Sequence, residues 1–336
     1  MVKHKHVFGV DISKDFFDVV NSDGQHNQFT NTDNGFAQFA NEIPKRALIV
    51  MEATGCYHHR LAQFLISKKI RTSVVNPLSV KRFRQMKMSH IKTDKADARL
   101  ICEYAKQHEV PMYKGMSKSH VQCQQLFALG ELYQKQHTAL KNKLHSEKDM
   151  GAPSPSAIRS IKRQLRTLLT EILAIDKEIN LLMETHYPDM TKLLKGIPGI
   201  GGKTSSYLLM MTDGFKKFDN SRQLCCYAGI TPSIRKSGTT IRGKSRITKI
   251  GNSKIRRLLF MCSFSARKYN SACRDLFDRI IAKGKSKKLA LVAVSNKLLK
   301  QAFAIVTSGR PYSKDYISKS SNTFKNGFNY YHEITF

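Results

Sequence analysis

The chain has 336 residues, enough for two ordinary domains and a connector that each bury their own core. Its 57 Lys and Arg outweigh 25 Asp and Glu, and the formal charge of +32 with an isoelectric point near 10.0 exceeds what solubility requires, so a polyanionic partner is implied. No stretch approaches the roughly 18 continuous apolar residues of a spanning helix, and no amphipathic anchor stands out, which argues against membrane attachment.

The first residues, Met1 to His6, run into a strand-like segment with no apolar signal sequence, so a cytoplasmic protein is expected, associated with the nucleoid when it acts. Residues 6 to 12 and 15 to 20 read as two strands of a hairpin joined at Ser13-Lys14, and a third strand near Asn27 to Thr30 completes a meander. Asp33 to Ile43 has Phe36, Phe39 and Ile43 on one helical face. Ala47 to Met51 is a continuous apolar run of the kind buried on both faces of a sheet, Tyr57 to Lys68 reads as a helix, and Thr72 to Val75 as a strand before Asn76-Pro77. A meander followed by strand-helix alternation is the pattern of a mixed-sheet α/β domain.

From about 118 to 190 the chain reads as long helices. Ile158, Ile161, Leu165, Leu168, Ile172, Ile175, Ile179 and Leu182 are spaced 3, 4, 3, 4, 3, 4, 3, a strict heptad seam, and Leu126, Leu129, Tyr133 and Leu140 give a looser one in the preceding helix. Gly151, Pro153 and Pro155 separate the two as the turn of a helical hairpin. A seam of this length favours pairing with another chain, hence a homo-oligomer, over packing within its own domain. Residues 191 to 310 are helical again, broken by glycine loops, and Ser308-Gly309-Arg310-Pro311 is a stop signal. The domain boundaries expected are 1–115, 116–190 and 191–312, with an irregular tail over 313–336.

The charge is concentrated: +6 over residues 1 to 110, +3 over 111 to 190 and +23 over 191 to 336. Seven cysteines form no CxxC pair and sit mainly in apolar helical contexts, which reads as reduced core thiols.

Asp11 and Glu52 each end an apolar strand, where an ionised carboxylate is costly unless exposed at a sheet edge or paired with a cation. If those strands are neighbours, both acids emerge at the same end of one sheet. Asp94 and Asp97 lie three residues apart at the start of a helix and share a face. Oxygen-only ligands suit Mg²⁺ or Mn²⁺ and two-metal phosphoryl transfer, whereas singly each helix acid is equally explained by the helix dipole. His58 and His59 follow Glu52 but point to different faces, so a solvent or phosphate contact is expected of them, not ligation.

Leu194 to Thr204, with Gly196, Gly199, Gly201 and Gly202 and then Lys203, resembles a helix-hairpin-helix turn whose backbone N–H groups approach a phosphate; a ligand-free tight turn is the plainer alternative. Further on, a loop sets Ser237 beside Gly238 and surrounds it with Arg235, Lys236, Arg242, Lys244, Arg246 and Lys249. Such cations could hold a scissile phosphate for attack by a hydroxyl, and on sequence grounds Ser237, Thr239, Thr240 and Ser245 are equivalent; a phosphate-binding loop without covalent chemistry is the plainer alternative. Lys283, Lys285, Lys287 and Lys288 form a cluster fit for nonspecific backbone contact.

Asp11 after its strand, Glu52-Ala53-Thr54-Gly55, Asn76-Pro77, Lys92 to Ala98, the Gly196 to Gly201 turn, and Ser237-Gly238 through Gly251-Asn252 occur in an order that resembles the DEDD transposases of the bacterial insertion sequence one-ten family, which include pilin-gene invertases. The resemblance covers roughly residues 5 to 310 and implies an RNase H-like, Holliday-junction-resolvase-like N-terminal domain, a coiled-coil connector, and a mainly helical C-terminal transposase domain. It implies that Asp11, Glu52, Asp94 and Asp97 bind divalent metal, Mg²⁺ or Mn²⁺, and that Ser237 is a nucleophile forming a transient phosphoserine link to DNA. It further implies that members act as oligomers, dimers or tetramers, and are guided by a structured noncoding (bridge) RNA that pairs with target and donor DNA. Two other readings stay open on the residues alone: a metal-dependent, structure-selective DNA nuclease, and a non-enzymatic nucleic-acid-binding protein.

Overall fold

The computed structural model describes residues 6–53, 55–88, 93–233 and 246–314, together with the backbone of 236–237 and 241–242. Two compact units divide at Ser117 and Lys118 and are taken each by itself.

In the N-terminal unit the strands are β1 (Val7–Ile12), β2 (Phe16–Asn21), β3 (His26–Thr30), β4 (Leu48–Glu52) and β5 (Arg71–Val75), and the helices α1 (Asp33–Glu42), α2 (His58–Ser67), α3 (Pro77–Met86) and α4 (Asp94–Gln107). The sheet order is β3-β2-β1-β4-β5, antiparallel through the meander and parallel from β1 to β4 to β5. The period-two alternation of strand side chains sorts the core into two layers. Val10, Ile12, Phe17, Val19, Phe29, Ile49 and Met51 pack against α1 and α2, while Val7, Leu48, Val50 and Val75 pack against α3 and α4. Each run of apolar residues expected to be a strand is one, and β4 is buried on both faces.

Helix α3 is the element that the periodicity did not reveal. Only Val80 and Phe83 are buried in it, too few to mark a face, yet its start is written in Asn76 and Pro77. The Asn76 side chain accepts from the Leu78 N–H, and proline at the first helical position removes a donor that has no partner there. Thr93 caps α4 in the same way, accepting from Ala96 N–H at 3.2 Å.

The C-terminal unit is mainly helical: α5 (Lys118–Asp149), α6 (Pro155–His186), α7 (Pro188–Lys195), α8 (Gly202–Thr212), α9 (Ser221–Ala228), α10 (Ser253–Tyr269), α11 (Ser271–Ala282) and α12 (Lys287–Ser308). Four two-residue strands interrupt it, β6 (Pro232–Ser233), β7 (Lys236–Ser237), β8 (Ile241–Arg242) and β9 (Arg246–Ile247). The heptad seam of α6 meets α5 of the same chain. Ile175 and Ile179 are buried in one cluster with Cys123 and Phe127 of α5, Ile172 is buried one turn earlier, and Ile158, Ile161, Leu165 and Leu168 stay half-buried farther out. Leu169, Leu173 and Leu181, off the seam, are exposed. Helix α12 is more apolar than the sequence reading allowed: 22 residues long, with mean hydropathy 1.5 in its richest window, it meets the length and composition of a membrane span. It is a core helix here, burying Ala290, Val294, Leu298, Leu299 and Ala302 against the C-terminal core.

A tight constraint that joins the sheet of the N-terminal unit to α4 lies at Gly9 of β1. A Cβ on Gly9 would sit 2.2 Å from the Ala98 carbonyl oxygen and 2.3 Å from the Cys102 nitrogen, both backbone atoms of α4. Gly9→Ala must therefore push α4 off the sheet, and overpacking of this kind should cost about 2–3 kcal/mol in urea-induced unfolding followed by circular dichroism.

Candidate active site

Strands β1 and β4 run parallel, and their last registered pair is Val10 with Met51. Asp11 and Glu52 are the next residues on the two strands, so the acids stand side by side at one end of the sheet. Residues two apart on a strand share a face, so Asp11 faces the same way as Gly9, toward α4. Asp94 and Asp97 occupy the first turn of that helix, where the partial positive charge of the helix N-terminus stabilises them. The approach of α4 at Gly9 thus brings two helical acids toward two strand acids.

The electrostatics record the crowding. Burial first, then the charges of Asp97, Asp94 and Glu52, raise the Asp11 carboxyl from 3.8 to about 6. All four carboxylates expected in the site therefore share one field. They do not converge into a finished ligand set: among the described residues no group of three or more acids, histidines or cysteines is close enough to hold a metal ion. Arg84 of α3 also engages one of the four acids, its guanidinium being ion-paired with Asp97. The donors are all oxygen, and the crowding on Asp11 is of the kind that a divalent cation relieves, so the residues suit Mg²⁺ or Mn²⁺.

Two residues at this end of the sheet escaped the sequence reading. One is Arg84, in a helix with no apolar periodicity to announce it. The other is Asp18 of β2, directly opposite Asp11 in the antiparallel register and only 5% exposed. His26 Nε2 lies 2.6 Å from its Oδ1, and the Gln28 amide donates at 3.3 Å to Oδ2, so this buried acid is satisfied within the sheet. His58 and His59 belong to α2, which packs on the opposite sheet face, and burial lowers the His59 pKa.

In the C-terminal unit the serine loop is a hairpin on a rigid base. Pro232 pairs with Ile247 and Ser233 with Arg246 in the outer step, and Lys236 with Arg242 and Ser237 with Ile241 in the inner step. The side chains of Lys236, Ser237 and Arg242 lie outside the described residues, as do Arg235, Lys244 and residues 238–240. At the base, Lys249 N–H donates to Gly229 O at 3.1 Å and Asn252 N–H to Tyr227 O at 2.9 Å. Gly251 has φ +131°, and a Cβ there would meet Tyr227 O at 2.2 Å, so only glycine closes this base. Asn252 then caps α10, its Oδ1 accepting from Lys254 and Ile255 N–H at 3.0 Å.

The remaining expected contacts divide. Arg246, Lys249, Lys283, Lys285, Lys287 and Lys288 are exposed, the last four around the turn into α12, where Ser286 caps the helix. Lys203 is not a free cation, since Asp176 of α6 holds it at 2.9 Å. The glycine turn between α7 and α8 forms as a tight connection, and nothing lies within 4 Å of a Cβ built on Gly201, the residue before α8.

Comparison with known proteins matches both units. A family model described as transposase, IS116/IS110/IS902 family, covers residues 191–278, and a transposase model of the DEDD IS110 type covers residues 8–147. The chain is similar to the pilin gene-inverting proteins of Moraxella lacunata and Moraxella bovis, 30% identical to each over 92% of this chain and 98% of each relative. It is also similar to a 43.6 kDa protein of insertion element IS110 from Streptomyces coelicolor, 28% identical over 46% of this chain and 38% of that protein.

The raised Asp11 pKa has a stability consequence. A carboxyl raised on folding contributes stability below its unfolded pKa and loses it as pH climbs through the folded value, here about 6. In metal-free buffer Asp11→Asn should therefore raise the melting temperature above pH 6, by a few degrees for about 1 kcal/mol after allowance for solvent screening, and the gain should vanish near pH 4. Calorimetric melting at the two pH values checks it.

Proposed function

The chain belongs to the IS116/IS110/IS902 family of transposases, and from that premise we propose that it cuts and rejoins DNA strands through Ser237, assisted by divalent metal held at Asp11, Glu52, Asp94 and Asp97. The observation that carries the metal assignment is the placement of Asp11 and Glu52 at adjacent strand ends facing the first turn of α4, where burial and then the charges of Asp97, Asp94 and Glu52 lift Asp11 to about 6. Bound Mg²⁺ or Mn²⁺ supplies charge neutralisation at the phosphate, a term that carboxylates alone cannot provide. An RNase H-like assignment for the N-terminal unit is supported by the order β3-β2-β1-β4-β5, with acids at the ends of the adjacent strands β1 and β4.

Serine chemistry suits rejoining because it conserves bonds. The Ser237 Oγ–P bond forms as one strand P–O bond breaks, and the departing strand oxygen takes up a proton. Attack by a strand hydroxyl on the phosphoserine then restores a phosphodiester and the free serine. One phosphoester is made for each one broken, so no energy source is needed. The hairpin base at Gly229 and Gly251 supports this role by fixing the stem from which Ser237 is presented, and exposed Arg246 and Lys249 lie on that stem.

The +23 charge of residues 191–336 supports contact with more nucleic acid than one duplex, in keeping with a guide noncoding RNA bound beside target and donor DNA. The lysine cluster at the start of α12 joins four cations to a helix N-terminus, a combination suited to phosphate. A homo-oligomer is supported by the exposed Leu169, Leu173 and Leu181 on the outer side of α6.

Ser237→Ala should abolish covalent protein–DNA adducts trapped in denaturing gels while leaving duplex binding intact, and Asp11→Asn should stop strand cleavage. Adducts that persist in Ser237→Ala overturn the nucleophile assignment. Hydrolysed, unjoined ends made equally by wild type and Ser237→Ala would establish the nuclease reading instead. Sequencing of co-purified nucleic acid should return one discrete RNA matching DNA beside the gene, and random fragments would count against guidance.

A further inference from the structure

We propose that Arg84 is a latch on the metal site: in the nucleic-acid-free chain its guanidinium occupies Asp97 in place of a cation, and entry of metal releases it to a DNA phosphate. This rests on the reading of the four carboxylates as metal ligands.

The geometry is specific. Arg84 lies in the last turn of α3 and Asp97 in the first turn of α4, and the two side chains are 23% and 20% exposed. They are sheltered enough for the ion pair to matter and open enough for a phosphate to reach. An Asp97 oxygen engaged by a guanidinium is a poor ligand for a second cation. Metal and Arg84 thus compete for one carboxylate.

Arg84 is not alone in docking α3 on α4. Phe83 is buried and packs edge-on against Tyr104 at 5.5 Å and His108 at 5.4 Å, and Lys87 bridges to Glu103 of α4 at 3.3 Å. Those contacts also join the two helices, and Arg84 is the member of the interface whose partner belongs to the site. A guanidinium offers paired donors in a fixed plane that match phosphate oxygens as well as carboxylate oxygens, so the same side chain serves both partners. Exposed Lys81 and Arg82 on the same helix add positive charge to the approach. Because phosphate draws Arg84 off Asp97 and metal does the same, each ligand should strengthen binding of the other, a reciprocity that thermodynamics requires.

Two titrations on the full chain test this, Mn²⁺ binding by isothermal calorimetry without nucleic acid, and binding of a labelled duplex with and without Mn²⁺. Arg84→Gln should bind Mn²⁺ about tenfold more tightly than wild type and lose the strengthening of duplex binding that Mn²⁺ gives. Arg84→Lys, a point charge without the fork, should fall between, and it takes over the test if Arg84→Gln fails to fold. A folded Arg84→Gln that binds Mn²⁺ no more tightly than wild type overturns the latch, since a mere helix staple leaves metal affinity unmoved. Asp11→Asn separates the two claims. If it leaves Mn²⁺ binding unchanged, the tetrad reading fails; if it weakens binding while Arg84→Gln matches wild type, the latch alone is wrong.

Discussion

The close approach of α4 to β1 at Gly9 is the constraint from which the N-terminal site follows. It is a backbone-to-backbone contact, with the Ala98 carbonyl and the Cys102 amide lying where a side chain would be, and close-packed backbone leaves no slack to absorb a change. The height of α4 over the sheet is thereby set, and with it the separation of Asp94 and Asp97 from Asp11. Acids mounted on a strand end and on a capped helix are held more precisely than acids on loops. The cost is like-charge repulsion. Asp94 and Asp97 are compensated by the helix N-terminus, and Asp97 also by Arg84, whereas burial and three neighbouring charges fall on Asp11, whose carboxyl moves to about 6.

Much of this was legible before any coordinates. An acid that ends a continuous apolar run has few places to go except a strand terminus, and two such runs in one small domain become neighbours by ordinary packing. Both strands follow from residues 6–12 and 47–52 alone, whereas the adjacency of Asp11 to Glu52 was only conditional on the two strands being neighbours, which the parallel pairing of β1 with β4 supplies. Arg84 was not legible, because α3 buries only Val80 and Phe83 and its capping signal, Asn76-Pro77, marks a start without naming a face. Asp18 was hidden for a different reason: its satisfaction by His26 and Gln28 depends on strand pairing, which no local pattern encodes.

The α6 seam shows where periodicity stops being informative. A 3-4 spacing specifies the width and direction of an apolar stripe but says nothing of whose stripe it meets. The turn at 150–154 lets α6 fold back along α5, and the seam is most buried where it enters the C-terminal core, at Ile175 and Ile179. The serine loop sets the complementary limit. Its glycines and cations stood out in composition, but strands of two residues have no period to read, and the fixed base emerges only from pairing of 229–233 with 246–252. α12 exposes a third limit, since hydropathy cannot tell the core helix of a large helical domain from a membrane span.

The charge distribution and the acid site pose one electrostatic problem between them. The C-terminal residues draw in a polyanion, with affinity that falls steeply as salt rises, while the carboxylates repel the same phosphates. Affinity and chemistry are thus supplied by different residues, and the acid site gains from holding phosphate only once its own charge is neutralised. For a recombinase this ordering has a use. Serine exchange conserves phosphodiesters, whereas a carboxylate site permanently loaded with metal would activate water and leave nicks that cannot be rejoined. On the proposal that Arg84 latches the site, the guanidinium seated on Asp97 would keep the free chain from assembling such a metal centre, and competence for cleavage would arise with the substrate.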